Sequence, residues 1–108
     1  MLYVGLDVSM RRTAICILAA TGKVVCEVSV ATIPAAIAAA VGAAGGKVER
    51  VGLEAGMGSA WLARGLLAAG LPVIVIEAAH AAGVLRAGFR NKTDRNDARG
   101  IADLMRVN

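Results

Sequence analysis

Leu2, Val4 and Leu6 alternate with Tyr3, Gly5 and Asp7, the period-two pattern of a half-buried strand running to Val8. Thr13 to Leu18 and Lys23 to Val30 are β-rich in the same way. The joining residues Ala19-Ala20-Thr21-Gly22 have the spacing of a hairpin turn. Pro34, at a first-turn position, then opens an Ala-rich helix that should end at Gly45-Gly46. Val48 to Glu54 reads as a fourth strand. Ser59 to Ala69 reads as a second helix with Trp61, Leu62, Leu66 and Leu67 on its apolar side and Gly70 closing it. Leu71 to Ile76 is a continuous apolar run, expected as a strand buried on both faces. Weak helical character over 78–85, a basic loop over 86–92 and a last helix from Thr93 onward complete the chain.

The order βββαβαβα predicts an α/β protein with a mixed five-stranded sheet. Strands one, four and five should be parallel, with the antiparallel hairpin at one edge. That is the ribonuclease H-like arrangement. Sugar-kinase and actin-like ATPases share its βββαβα core, so topology alone leaves nuclease and kinase chemistry both open.

Composition narrows the class. With 57% apolar and 19% charged residues, 108 residues suit one folded domain and exclude a disordered tail. Two cysteines exclude a disulfide scaffold and a cysteine-based zinc site, and fit a reducing, cytoplasmic setting. The longest uncharged run, Val28 to Gly46, is broken by Ser29, Thr32, Pro34 and glycines. It reads as a strand and a buried helix rather than a membrane span. Net charge is +4, and residues 86–108 hold six of the twelve basic groups against three of the eight acids. A basic C-terminal quarter suits a polyanionic partner.

The candidate chemistry lies in carboxylates. Asp7 and Glu54 end strands expected to be parallel neighbours, where ligands of open α/β sheets gather. Gly5 and Gly52 precede them at the same offset, leaving bare backbone for an element or ligand to approach. On the last helix, 100° per residue puts Asp94 and Asp97 in one arc with Ala98, Ile101, Leu104 and Met105. Arg95, Arg99, Asp103 and Arg106 fall on the other side. First-turn acids also serve as caps and dipole partners, but capping does not explain an acid on the buried stripe. A buried carboxylate without a positive partner is costly, and no basic residue shares the stripe. Mg2+ or Mn2+ would supply the charge, with phosphate oxygens as remaining ligands. Asp7, Glu54, Asp94 and Asp97 are therefore the candidate catalytic and metal-binding residues. Arg11, Arg12, Arg90, Lys92, Arg95 and Arg99 are the candidate contacts to a nucleic-acid backbone.

Other features carry less. Gly56-Met57-Gly58 lacks the third glycine of a dinucleotide turn, His80 has no ligand-spaced partner, and Trp61 reads as packing rather than a base-stacking platform.

The segments Gly5-Leu6-Asp7-Val8-Ser9, Gly52-Leu53-Glu54-Ala55-Gly56, Leu71-Pro72-Val73 and Asn91-Lys92-Thr93-Asp94-Arg95-Asn96-Asp97-Ala98-Arg99 resemble the DEDD transposases of insertion-sequence family one hundred and ten. The resemblance spans the chain and implies a RuvC-like catalytic domain over 1–108 with Asp7, Glu54, Asp94 and Asp97 as its acidic tetrad. It further implies DNA recombination with divalent metal, a structured guide RNA and a homo-oligomer. A C-terminal serine-bearing domain would be missing here, so the chain is expected to be an N-terminal fragment, inactive alone. The family's Gly-Gly-Tyr-type segment is replaced by Gly56-Met57-Gly58-Ser59-Ala60-Trp61. Two alternatives stay open: a fragment of an actin-like or sugar-kinase ATPase, and a non-catalytic docking domain of the same fold.

Overall fold

A computed structural model describes residues 1–77 and 94–107, and of 94–96 the backbone alone. The helix expected at 78–85 and the basic loop at 86–92, with His80, Arg90 and Lys92, lie outside the described residues. The elements are β1 (Leu2–Val8), β2 (Arg12–Ala19), β3 (Val24–Ala31), α1 (Pro34–Gly42), β4 (Val48–Glu54), α2 (Ser59–Ala68), β5 (Val73–Ile76) and α3 (Asp94–Val107). They form one sheet ordered β3-β2-β1-β4-β5. β1 pairs antiparallel with β2 and parallel with β4; β2–β3 is antiparallel and β4–β5 parallel. The expected α/β, ribonuclease H-like layout with a mixed five-stranded sheet is the one observed.

Strand alternation divides the core between two faces. Leu2, Val4 and Leu6 join Ile15, Ile17, Val51 and Leu53 on one side, under Ile37 and Val41 of α1 and Leu62 and Leu66 of α2. On the other side Cys16 and Leu18 pack against Ala98 and Ala102 of α3. Ile101, Leu104 and Met105 are buried with them. At roughly 1.5–3 kcal/mol for each large apolar side chain fully buried, these three contribute the main attachment of α3.

Three packing expectations need correction. β5 is not buried on both faces, since Ile74 is 40% and Val75 42% exposed. It is the outer strand, and α3 packs over β1, β2 and β4 instead. α1 stops at Gly42 and buries only Ile37 and Val41, so it is a one-sided surface helix rather than a buried one. On α2 the buried side chains are Leu62, Ala63 and Leu66, while Trp61 is 53% and Leu67 54% exposed. The inward arc centres on Leu62 and Leu66, one helical turn apart, and residues 61 and 67 fall to either side of it. No helix among the described residues is long and apolar enough to cross a membrane.

Candidate active site

The register of β1 and β4 fixes the central pair of acids. Leu6 stands beside Leu53, and both face the α1–α2 core. Asp7 and Glu54, each one residue further on, therefore turn together to the α3 side. Both are half-buried. They share a pocket of about 210 Å3 with Met57 and Ser59 from the β4–α2 connection and Ile101 from α3.

α3 runs antiparallel to β1, as its neighbours show. Near its C-terminus Arg106 lies against Gly22 of the β2–β3 turn, and the Met105 carbonyl accepts from Arg50 Nε at 2.8 Å. Nearer its N-terminus, Ala98 and Ala102 cross Gly5. The first turn therefore lies toward the carboxyl end of β1, where the positive pole of the helix favours negative charge. The close approach depends on Gly5 and Gly52, above which Ala98, Ala102 and Met105 occupy the space of a methyl group. The bare backbone expected at these positions admits a helix.

Asp97 is half-buried beside the fully buried Ala98, and Arg99 is exposed on the outer side. Asp97 forms no part of the wall of the Asp7–Glu54 pocket. Among the described residues no three acidic, histidine or cysteine side chains gather closely enough to hold a metal ion. The structure thus brings Asp7 and Glu54 together and directs the start of α3 toward them, without joining Asp97 to the pair. The side chains of Asp94 and Arg95 lie outside the described residues.

Of the basic candidates, Arg11 is exposed on the β1–β2 turn. Arg12 is tied to the sheet: Nε donates to Ser29 Oγ at 3.1 Å and Nη2 to the Ser29 carbonyl. Outside that set, the half-buried Arg106 pairs with Asp103 at 2.6 Å beside the β2–β3 turn.

The turn after Asp7 is held by hydroxyl groups. Thr32 Oγ1 donates to the Ser9 carbonyl at 2.6 Å and lies 2.9 Å from Thr13 Oγ1. Because the one Thr32 proton is engaged with Ser9, Thr13 is the donor in the second bond. Thr13 is fully buried. Ser9 Oγ in turn donates to the Arg12 carbonyl at 2.6 Å. The strand end carrying Asp7 is thereby fastened to β2 and to the end of β3.

Two features went unread in the sequence. An open pocket of about 740 Å3 runs from Asp7 across β2 and β3, reaching Arg12, Glu27, Ser29 and Ala98. Its signal was available, since Asp7 pairs with Ala14 and Ala14 with Ser29, one row on one face. On the other side of the strand ends, a groove of about 570 Å3 is lined by Val8, Ser9, Met10, Thr32, Met57 and Trp61 among others.

A mixed sheet in the order β3-β2-β1-β4-β5, with acids ending its adjacent parallel strands, defines a ribonuclease H-like α/β protein with an acidic edge. Over residues 4–108 the chain matches the family model of the IS110-type DEDD transposases, described as Transposase, and it belongs to that family. Its assignment is to transposition of insertion sequences, with DNA as substrate. No curated protein matches the chain.

Transposases of this family depend in general on divalent metal. The donors in the 210 Å3 pocket fit such an ion: two carboxylates, no thiol and no imidazole. Mg2+ and Mn2+ sites take one or two carboxylates and complete their coordination with water and phosphate. At ~30 Å3 per water, the pocket has room for several.

Proposed function

We propose that this protein is the RuvC-like catalytic domain, residues 1–108, of a transposase that cuts and transfers DNA strands. Asp7 and Glu54 would hold Mg2+ or Mn2+, joined by Asp94 and Asp97 from the start of α3. When bound, such metal would supply stabilisation of the attacking and leaving oxygens of an in-line phosphoryl displacement. Asp7 suits the central position, because β1 lies between β2 and β4. Glu54 closes the pocket on the β4 side, and the hydroxyl-fastened Ser9 turn limits movement of Asp7. Arg11 and Arg99 are exposed and would contact the DNA backbone; Arg90, Lys92 and Arg95 belong to the same proposal. Arg12 would contribute while staying tied to Ser29.

Family membership supports extending the reading to a structured guide RNA, a homo-oligomer and a serine-bearing partner domain. The single observation that carries the proposal is the pocket shared by Asp7 and Glu54. Its test is strand cleavage of branched DNA by the full-length transposase in Mg2+ or Mn2+. Asp7→Asn and Glu54→Gln should each abolish cleavage while leaving thermal unfolding intact. Metal-dependent cleavage at wild-type rate in either variant would refute it.

A further inference from the structure

Three large apolar side chains stand out to solvent around the strand ends: Met57 is 97%, Met10 89% and Trp61 53% exposed. They are not scattered. All three line the 570 Å3 groove between the β1–β2 turn and the start of α2, with Val8, Ser9, Thr32, Gly58 and Leu62. That lining contains no charged residue. The groove also adjoins the acidic pocket, because Val8 and Met57 belong to both walls. Exposed arginines neighbour its lining residues along the chain: Arg11 follows Met10 on the turn, and Arg64 follows Trp61 by one helical turn on α2.

Uncharged apolar walls with an aromatic ring, neighboured by cations along the chain, match the make-up of a nucleotide: a flat base joined to an anionic backbone. We propose that this groove holds one unpaired base of the DNA strand adjoining the acidic pocket, stacked on Trp61 and gripped by Met10 and Met57. The inference rests on the reading of Asp7 and Glu54 as the cutting site, since that reading places the strand beside the groove. A second copy of the chain is the less favoured occupant, because the neighbouring cations add nothing to its apolar packing.

Trp61 is the chain's one tryptophan, so its fluorescence reports on the groove directly. The probe is a short thymidine oligonucleotide, titrated in the presence of a chelator so that cleavage plays no part. Saturable quenching is expected, with little quenching by an oligonucleotide of abasic sugars. Trp61→Ala, assayed by anisotropy of a labelled oligonucleotide, should weaken binding by roughly tenfold. Trp61→Phe should keep most of the affinity, and Met57→Ala, at a site too exposed to affect folding, should lose a few-fold. Asp7→Asn and Glu54→Gln should quench as the unaltered protein does while losing metal-dependent cleavage. Quenching together with wild-type cleavage by full-length Asp7→Asn and Glu54→Gln transposase would sink the acidic site and leave the stacking site standing. Unchanged affinity in Trp61→Ala and Met57→Ala, or equal quenching by the abasic strand, would overturn the stacking site alone. So would a blue shift that grows with protein concentration in the absence of DNA, which marks a second copy in the groove.

Discussion

Gly5 and Gly52 stand side by side in the parallel register of β1 and β4, and α3 lies over both. The two positions differ in what the helix presents. A methyl group on Gly5 would overlap the Ala98 carbonyl and the Ala102 amide, which are backbone. On Gly52 it would meet Met105 Sδ at 2.7 Å, part of a flexible side chain. Gly5→Ala should therefore cost about 3 kcal/mol or more, since the helix must lift. Gly52→Ala should stay within about 1 kcal/mol, the Met105 shift being offset by the strand's preference for Ala over Gly. Urea denaturation of the two variants measures the difference; equal losses would contradict it.

The Thr13–Thr32–Ser9 chain predicts an asymmetry of its own. Thr32→Val leaves the buried Thr13 hydroxyl without its acceptor and should cost about 1–3 kcal/mol. Thr13→Val removes the buried donor itself, and the half-buried Thr32 keeps its bond to Ser9, so the loss should be about 1 kcal/mol or less. Comparing the two unfolding free energies checks the order. A larger loss for Thr13→Val would reverse the assigned direction of the bond.

Burial and then Glu27, with Arg99 opposing, push the Cys16 thiol from 9.0 up to about 12. The folded state therefore keeps this proton when the unfolded chain has lost it. The associated stability is intact below pH 9 and falls as pH rises from 9 towards about 12. Unfolding free energies at stepped alkaline pH should decline more steeply for the unaltered chain than for Cys16→Ala. At pH 8 a disulfide reagent should modify the half-buried Cys26 first and leave Cys16 protected until unfolding. Equal modification rates would count against the packing of α3 over Cys16.

Strand order and direction were legible because alternation, the hairpin spacing and the helical crossovers all favour one sheet. Gly5 and Gly52 were legible as a close approach, and their neighbour proved to be α3. Burial at the margins was not legible. An apolar run such as Leu71 to Ile76 reads alike in a central or an outer strand, and only the sheet order exposes Ile74 and Val75. Trp61 failed for a related reason, since hydrophobicity placed it on the inner side of α2 while the sheet admits only the arc around Leu62 and Leu66. The pairing of Asp7 with Glu54 followed from parallel neighbours. Where Asp97 stands relative to that pair depends on how far along β1 the helix begins, which its own periodicity does not encode.

Asp7 and Glu54, at the carboxyl ends of β1 and β4, are proposed to act together on divalent metal. Electron paramagnetic resonance of Mn2+ titrated with the protein tests it most directly, because bound ion leaves the free-ion signal. Asp7→Asn and Glu54→Gln should each weaken uptake by at least roughly tenfold, and Glu27→Gln, in the neighbouring open pocket, should bind as the unaltered chain does. Undiminished Mn2+ uptake in both the Asp7 and Glu54 variants would contradict the account.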